Sequence, residues 1–378
     1  MLIGIDGNEA NVKRRVGIGE YSYELLRQFA ELRIKNLEFQ IYLKSEPLSD
    51  MPDENENWIY RIIKPGKLWT QWRLPLDLYL HKPRPDVFFT PSHYAPRFSP
   101  VPTVISVMDL SYLYFPELFN VEDLHQLQSW TAYSVKNAKK ILTISNSSKN
   151  DIIKEYNVAS SKVIVTHLGI KEFNSLSPNI YTMKNLRTKH DLSEKFILFV
   201  GTLQPRKNIQ RLIEAFAKVD AQKESSEDLQ LVIVGKKGWL FEEILDTPKR
   251  LGIEDKVRFL DNINDDELNT LYHNAFCFVL PSLYEGFGLP ILEAMQAGCP
   301  VITSNVSSLP EAAGDACLYV DPENVDDIKE KILKVLGDKK LRQVLIEKGK
   351  KQVKKFSWEK TARETLNALE EIGGSNER

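Results

Sequence analysis

Glu285-Gly-Phe-Gly-Leu-Pro-Ile-Leu-Glu293 directly follows an apolar run at residues 276–280 and a short turn. Gly286 and Gly288 leave no side-chain bulk beside the backbone N–H groups of this loop, and Pro290 suits the first turn of a helix. A strand, a glycine loop and a helix in this order are typical of α/β sheets, whose ligands bind at the carboxyl ends of the strands. The stretch therefore predicts a doubly wound α/β domain.

The same alternation of short β-branched runs and longer amphipathic segments continues through the whole chain of 378 residues. This length suggests two domains. Residues 171–192 are rich in Ser, Asn and Lys, and they are predicted to connect a first domain at 1–180 with a second at 190–356. Predicted strands lie at residues 2–6, 39–43, 87–90, 104–107, 140–144 and 163–166, and then at 196–200, 230–234, 257–260, 276–280, 301–303 and 316–320. The fold class is thus α/β, with two Rossmann-like domains.

The composition gives no reason to expect nucleic acid as a partner, because 50 Lys and Arg nearly balance 52 Asp and Glu. Cys277, Cys299 and Cys317 lack metal-ligand spacing and are predicted to be core thiols in a reducing compartment. The first ten residues do not resemble a secretory signal, and no apolar run reaches the roughly 20 residues that span a bilayer. We therefore expect a cytoplasmic protein without a bound metal.

Two further loops carry charge or glycine at the ends of predicted strands. Arg206 and Lys207 are adjacent cations at the start of the predicted helix that follows a strand, where an anion such as a diphosphate would stabilise them; a solvated pair is the alternative. Gly17 and Gly19 follow the first strand, but Ser22 replaces the third glycine of a dinucleotide-binding fingerprint. That loop is therefore predicted to close over a phosphate rather than to bind a nicotinamide cofactor.

These segments together resemble glycosyltransferase family four, the large group of retaining enzymes with the GT-B fold. The resemblance extends over nearly the whole chain and is most specific in the E-x7-E segment followed by Ala294-Met-Gln-Ala297-Gly-Cys-Pro-Val. The other matching segments are the amino-terminal glycine loop, Leu142-Thr-Ile-Ser145-Asn-Ser, Val200-Gly-Thr, Arg206-Lys-Asn and Leu231-Val-Ile-Val-Gly235. The resemblance implies two domains that face a cleft, with a helix at 357–378 packing back on the first domain.

Roles for individual residues follow from this resemblance. Lys207 would bind the leaving diphosphate, Glu285 would contact the donor sugar, and Glu293 would hold the ribose. Main-chain groups of Phe287, Gly288 and Leu289 would bind sugar hydroxyls and phosphate oxygens. The remaining donor-binding candidates are Gly17, Gly19, Gly201, Thr202 and Arg206.

Two positions depart from the family pattern. Many members have Arg where this chain has Thr202, and Arg206 is expected to supply that charge. Many also have His-Asp where this chain has Met108-Asp109. Asp109 is therefore expected to do part of the work of the missing histidine.

The predicted activity is metal-independent transfer of a hexose, with retained anomeric configuration, from a nucleotide-diphosphate sugar to a glycan or lipid-linked hydroxyl. The segment Gly235-Lys-Lys-Gly-Trp239 resembles mannosyl-transferring members, which favours GDP-mannose and leaves UDP-hexoses open. A nucleotide-sugar epimerase and a catalytically silent sugar-nucleotide sensor are the alternatives. Tyr112, Tyr114 and Phe115 are acceptor candidates or core residues. Residues 61–73 include Lys64, Lys67, Trp69 and Trp72 and are candidates for peripheral membrane contact; packing of the Trp side chains against their own domain is the alternative.

Overall fold

The computed structural model describes residues 1–32, 34–171, 183–222 and 228–374. The chain forms two compact units. The first comprises Met1–Tyr114, Asn120–Gly169 and Ser357–Arg378, and the second comprises Phe115–Phe119 and Ile170–Phe356. The division falls at residues 169 and 170, before the predicted connection, and residues 357–378 belong to the first unit.

Strands and helices alternate along the described chain, as the patterning predicts. The strands are β1 Leu2–Asp6, β2 Glu38–Leu43, β3 Trp58–Ile62, β4 Val87–Thr90, β5 Thr103–Ser106, β6 Lys140–Thr143, β7 Val163–Val165, β8 Lys195–Val200, β9 Leu229–Val234, β10 Val257–Leu260, β11 Cys277–Leu280, β12 Val301–Ser304 and β13 Cys317–Val320. The α-helices are α1 Ile18–Leu32, α2 Leu74–Leu80, α3 Ser111–Tyr114, α4 Val121–Asn137, α5 Asn146–Tyr156, α6 Met183–His190, α7 Ile209–Ala221, α8 Glu242–Arg250, α9 Asp265–Asn274, α10 Leu289–Gln296, α11 Leu309–Ala313, α12 Val325–Gly337, α13 Lys339–Val353 and α14 Trp358–Gly373.

The first unit is built on a parallel sheet in the order β3-β2-β1-β4-β5-β6-β7. Helix α14 packs in this unit, where Thr361 Oγ1 donates to the backbone oxygen of His167 at 2.5 Å. Gly169 lies so close to the start of α14 that an added Cβ would come within 2.1 Å of the backbone nitrogen of Trp358. Any side chain at Gly169 would therefore displace the beginning of this helix.

The second unit has a parallel sheet in the order β10-β9-β8-β11-β12-β13. Strands β9, β11 and β12 are mainly apolar and fully buried, as expected for a sheet covered by helices on both faces. The strand order reverses between β8 and β11. From β8 the chain adds strands β9 and β10 towards one edge of the sheet, and from β11 it adds β12 and β13 towards the other edge. Such a reversal opens a crevice at the carboxyl ends of the two strands.

All twelve predicted strands are present within one residue at each end, and among the described residues one further strand, β3, was missed. Strand β3 has a single buried residue, Trp58, and is otherwise exposed or half-buried, so it lacks the apolar run that marks the other strands. Within the predicted connection, residues 183–190 form helix α6, and residues 172–182 lie outside the described residues.

The three cysteines are buried thiols, as predicted. Burial raises the pKa of Cys277 to about 12, which keeps this thiol protonated at neutral pH. Within the described ranges, no helix has the length and apolar character needed to cross a membrane.

Candidate functional site

Three predicted residues meet at the point where the strand order of the second unit reverses. Arg206 and Lys207 follow β8, and Glu285 follows β11, the strand paired with β8. Parallel neighbours bring their carboxyl ends to one edge of the sheet, so residues almost 80 positions apart become adjacent. We call Arg206, Lys207 and Glu285 the charged triad.

The two cations lie in a tight turn and not at the start of helix α7, which corrects the sequence-based expectation. Pro205–Lys207 form a 3₁₀ turn, and Asn208 follows with a positive φ of 59° before α7 begins. The Asn208 side chain donates to the backbone oxygens of Pro281 and Pro322 at 2.9 and 2.6 Å. This buried amide therefore fixes the cationic turn against the loop that carries Glu285.

Glu285 lies between the two cations. Lys207 Nζ donates to Glu285 Oε1 at 2.5 Å, and Arg206 Nη1 donates to Glu285 Oε2 at 3.0 Å. Arg206 Nη1 also donates to the backbone oxygen of Tyr284 at 2.7 Å. The side chains of Arg206, Lys207 and Glu285 are 17%, 11% and 8% exposed, so water screens their interactions weakly. Two cations and one carboxylate leave the triad with a net charge of +1.

Three serines hold the loop and the carboxylate of Glu285. Ser282 Oγ donates to Glu285 Oε1 at 2.8 Å. The hydroxyls of Ser307 and Ser308 donate to the backbone oxygen of Glu285 at 2.5 and 2.8 Å. Sequence reasoning missed Ser307 and Ser308 because no pattern connects them with a loop more than twenty positions earlier.

The triad holds Glu285 in its ionised form. Burial by itself would raise the pKa of this carboxyl, but Lys207 and Arg206 outweigh burial, and with Ser282 they lower the pKa to about 2. Glu285 is therefore a carboxylate at neutral pH. It can interact with a developing positive charge or accept hydrogen bonds, and it is a poor proton donor.

The glycine loop ends at Gly288, which has a φ of 106° and immediately precedes α10. A Cβ at Gly288 would come within 3.0 Å of Leu309 Cδ2, so both the backbone and its surroundings favour glycine. The side chain of Phe287 is buried and its ring lies 5.4 Å from that of Phe356. Leu289 begins α10; main-chain contacts of Phe287, Gly288 and Leu289 with a ligand stay a prediction from the resemblance.

Glu293 lies one turn into α10. Its Oε2 accepts a hydrogen bond from Tyr272 Oη at 3.0 Å. Burial raises the pKa of Glu293, although the Tyr272 hydroxyl partly opposes this. The tyrosine fixes one carboxylate oxygen and thereby orients the other.

Gly201 and Thr202 lie between β8 and the cationic turn. An added Cβ at Gly235 would come within 1.9 Å of the Gly201 backbone oxygen, so the chain segments after β8 and β9 pack backbone to backbone. Gly201 N donates to Val234 O at 2.9 Å. This packing holds the loop that leads to the triad.

Gly17, Gly19 and Asp109 belong to the first unit. Gly17 has a φ of 53° just before α1, and Gly19 is the second residue of α1. Arg15, in the same loop, binds Asp50 through two hydrogen bonds of 2.5 and 3.0 Å. One cation of this basic loop is therefore already engaged within its own unit.

Asp109 Oδ1 accepts a hydrogen bond from the backbone N–H of Ser111 at 2.8 Å, and His93 lies near this carboxylate. His93 Nε2 is buried and has no hydrogen-bond partner among the residues that the structure describes. Burial lowers the pKa of His93 to about 4, although Asp109 opposes this effect. Sequence reasoning missed His93. Its position could have indicated it, because His93 lies three residues after β4, and β4 is paired with β5, the strand that precedes Asp109.

The aromatic acceptor candidates divide between the two units. Tyr112 shares a hydrogen bond of 2.6 Å with Tyr156, and Tyr114 donates to Asp151 at 3.0 Å, both on α5. Phe115 belongs to the second unit and its ring lies 6.0 Å from that of Tyr284. Across the ranges that the structure covers, no group of three His, Cys, Asp or Glu residues has the geometry of a metal site.

Comparisons with known proteins agree with this architecture. A sequence profile described as "Glycosyl transferases group 1" matches residues 183–352. The O-antigen chain mannosyltransferase B of Escherichia coli is 32% identical over 368 residues, which cover 93% of this chain and 95% of that protein. The serotype-specific mannosyltransferase WbdA of Escherichia coli is 34% identical over 227 residues, which are 60% of this chain but only 28% of that longer protein.

The Anabaena protein HepE, solved in complex with UDP-glucose, superposes with a TM-score of 0.73. The superposition covers 97% of this chain and 99% of HepE, and 16% of the residues are identical, which is evidence for the fold alone. The fold is therefore of the GT-B type, with two Rossmann-like domains. Together with the profile and the full-length similarity to a mannosyltransferase, this places the chain in the group 1 glycosyl transferase family, and it is a glycosyltransferase.

Proposed function

We propose that this protein transfers mannose from GDP-mannose, with retention of anomeric configuration, to a hydroxyl group of a growing glycan or lipid-linked oligosaccharide. The observation that carries the proposal is the charged triad, Arg206, Lys207 and Glu285, at the strand reversal of the second unit. Two relatives named as mannosyltransferases, one of them matched over 93% of this chain, support mannose as the sugar. UDP-hexoses are the competing donors.

The charge of the triad suits the leaving group of this reaction. As the bond between sugar and diphosphate breaks, negative charge accumulates on the diphosphate and the sugar becomes oxocarbenium-like. The side chains of Arg206 and Lys207 are already held in place by Glu285 and the Asn208 turn, so little reorganisation is needed when the diphosphate departs. The cations thereby do work that a divalent metal does in other transferases, and we propose a metal-independent reaction.

Glu285 serves in this proposal as a positioning and charge-stabilising carboxylate beside the donor sugar. Its lowered pKa keeps it ionised throughout the physiological range. Asp109, in the first unit, is proposed to contact the donor sugar in place of the histidine that Met108 replaces. Gly17 and Gly19 are proposed to approach the donor phosphates closely, because neither carries a side chain.

The donor is tested by the effect of nucleotides on thermal unfolding. GDP and GDP-mannose are expected to raise the melting temperature, because a ligand at about 100 times its Kd adds roughly 2.7 kcal/mol of stability. UDP, ADP and dTDP sugars serve as matched controls, and the shift should persist in excess EDTA. If only UDP sugars raise the melting temperature, the donor is a UDP sugar and not GDP-mannose. Loss of transfer activity in EDTA would contradict the metal-independent mechanism.

Replacing Glu293 with Ala is expected to weaken donor binding more than it slows the reaction. The carboxylate is proposed to accept hydrogen bonds from the ribose hydroxyls, which do not change during the transfer, so KM should rise about tenfold or more while kcat changes little. Initial rates at varied donor concentration measure both constants. Tyr272→Phe removes the hydrogen bond to Glu293 but keeps the charge, and should give a smaller rise in KM. An unchanged KM in Glu293→Ala would contradict the ribose role.

A further inference from the structure

The first unit has a strand reversal of its own, between β1 and β4. From β1 the chain adds strands β2 and β3 towards one edge of the sheet, and from β4 it adds β5, β6 and β7 towards the other edge. Such a reversal opens a crevice at the carboxyl ends of the two strands, where ligands of α/β sheets bind. We call this place the first-unit crevice. The segments directly after β1 and β4 supply its side chains.

One oxygen of a buried carboxylate in this crevice has no hydrogen-bond donor. Asp6 is the last residue of β1 and is only 8% exposed. Its Oδ1 accepts hydrogen bonds from the backbone N–H and the side-chain amide of Asn8, at 3.0 and 2.6 Å. Its Oδ2 accepts none from the residues that the structure describes. A buried acceptor without a donor is costly, and a hydroxyl group of a ligand would remove that cost.

Glu9, three residues further along the chain, is a second carboxylate without a donor. It is half-buried, and no hydrogen bond or ion pair from the described part of the chain reaches its side chain. The neighbouring Asn8 fixes this loop, because Asn8 Oδ1 accepts a hydrogen bond from the backbone N–H of Lys44 at 2.8 Å. Burial and the charge of Asp6 raise the pKa of Glu9, and Lys44 opposes them. The loop is therefore held in place while the Glu9 carboxylate stays available.

Two ring side chains follow β4 on the other side of the reversal. His93 Nε2 is buried and finds no hydrogen-bond partner in the described ranges. The Tyr94 ring lies 4.2 Å from the His93 ring. Burial raises the pKa of Tyr94, and the nearby charge of Glu9 adds to this effect. The segments after β1 and β4 thus meet, with Glu9 of one segment near Tyr94 of the other.

The carboxylates give this part of the crevice a negative charge. Asp6 and Glu9 lie close enough for the charge of one to act on the other, and Lys44 is a cation that acts on both. Lys44 is exposed, so water screens its charge. The charged triad of the second unit has the opposite sign. A carboxylate accepts hydrogen bonds and donates none, so this pair suits a ligand rich in hydroxyl groups and repels other anions.

We propose that Asp6 and Glu9 determine acceptor specificity: they accept hydrogen bonds from hydroxyl groups of an uncharged terminal sugar and exclude a sugar that carries phosphate or carboxylate. This inference rests on the proposed function, because it takes the acceptor to be a sugar. The donor diphosphate is proposed to lie at the positive triad, so the negative crevice suits the uncharged partner. The unpartnered His93 Nε2 can form one more hydrogen bond to the same sugar.

The test compares uncharged and anionic acceptor sugars. The uncharged probes are the methyl glycosides of mannose, N-acetylglucosamine and galactose, and the anionic probes are methyl mannoside 6-phosphate and methyl glucuronide. Saturation-transfer NMR measures their binding to the protein loaded with GDP. We expect at least one uncharged probe to bind the wild type and the anionic probes not to bind. Glu9→Gln should weaken binding of that uncharged probe about tenfold, since a hydrogen bond to a charged group is lost. Glu9→Lys should reverse the preference in favour of the anionic probes.

Glu38→Gln is the matched control, because Glu38 is an exposed carboxylate at the amino end of β2, at the opposite edge of the same sheet. It should bind the probes as the wild type does. Glu9 holds no part of the fold, and an Asn at position 6 can still accept from Asn8, so the variants should keep the wild-type melting temperature. The inference is overturned if no uncharged probe binds, if the anionic probes bind equally well, or if Asp6→Asn and Glu9→Gln both leave probe binding unchanged.

Failure of this inference and failure of the proposed donor give different results. If nucleotide binding shows a UDP sugar as the donor, the acceptor experiment is repeated with UDP, and the expected preference for uncharged probes is the same. If GDP-mannose is the donor but mannose is transferred equally well to anionic and uncharged probes, the proposed function stands and the role of Asp6 and Glu9 falls. The nucleotide-induced rise in melting temperature should be unchanged in Glu9→Gln, since Glu9 is proposed to bind the acceptor only.

Discussion

Replacing Glu285 with Gln is expected to lower kcat by about 10²- to 10³-fold while the KM for the donor changes by less than about threefold. The carboxylate lies between Arg206 and Lys207 and is held ionised, so Gln removes a charge and keeps nearly the same shape. A negative charge beside the sugar matters most when the sugar is oxocarbenium-like. The loss should therefore appear in the transition state and not in donor binding.

Two readouts separate this effect from damage to the fold. Ser282→Ala removes one hydrogen bond to Glu285 Oε1 but leaves the charge, and it should lower kcat by less than about tenfold. Because the pKa of Glu285 is lowered from 4.5 to about 2, its stabilising contribution is complete above pH 4.5 and is lost as the pH falls towards 2. The stability difference between wild type and Glu285→Gln, measured by urea unfolding, should be constant from pH 5 to 8 and should shrink below pH 4.5. An unchanged kcat in Glu285→Gln would remove Glu285 from the mechanism.

The fold could be predicted from the sequence wherever one physical signal dominated. The buried parallel strands β8, β9 and β11 are short and mainly apolar, and each is directly followed by Gly or Pro, so their existence was predicted and their limits were predicted to within one residue. Strand β3 is at the edge of its sheet and is mostly solvent-accessible, so its sequence, Trp-Ile-Tyr-Arg-Ile, carries neither an apolar run nor a clear alternation. Helix α6 was missed because only one of its residues, Leu186, is buried.

The site was predictable in its residues but not in its internal contacts. Arg206, Lys207 and Glu285 follow strands, and the parallel sheet requires that such loops meet at one edge. The ion pairs among them were not foreseen, because the adjacent cations were explained only by a bound anion or by solvation, and not by a carboxylate of the protein. In the structure Glu285 already neutralises part of their charge. The serines at 307 and 308 act through a contact that only the tertiary fold creates.

Replacing Lys207 with Met is expected to lower kcat/KM by about 10²- to 10³-fold, because the proposed leaving diphosphate loses one of its two cations in a poorly screened site. The variant should also lose about 3 kcal/mol of stability, since Glu285 is left buried with Arg206 as its remaining cation. Lys218→Met is the matched control. Lys218 forms an equally clear ion pair with Asp326 at 2.9 Å, but the two side chains are 48% and 58% exposed, so its loss should cost under about 1 kcal/mol and leave kcat/KM unchanged.

A double-mutant cycle then distinguishes catalysis from support of Glu285. If Lys207 acted only by holding Glu285, then Lys207→Met would have no further effect on kcat/KM once Glu285 is already Gln. If Lys207 also stabilises the departing diphosphate, Lys207→Met/Glu285→Gln should be slower than Glu285→Gln alone, and the product nucleotide should inhibit the double variant more weakly. The losses of stability are not expected to add. The double variant should lose less free energy of unfolding than the sum of the two single variants, because it leaves neither the Glu285 charge nor the Lys207 charge buried without its partner. Equal rates for the double variant and Glu285→Gln, with unchanged product inhibition, would assign Lys207 a positioning role and leave Arg206 to stabilise the leaving group.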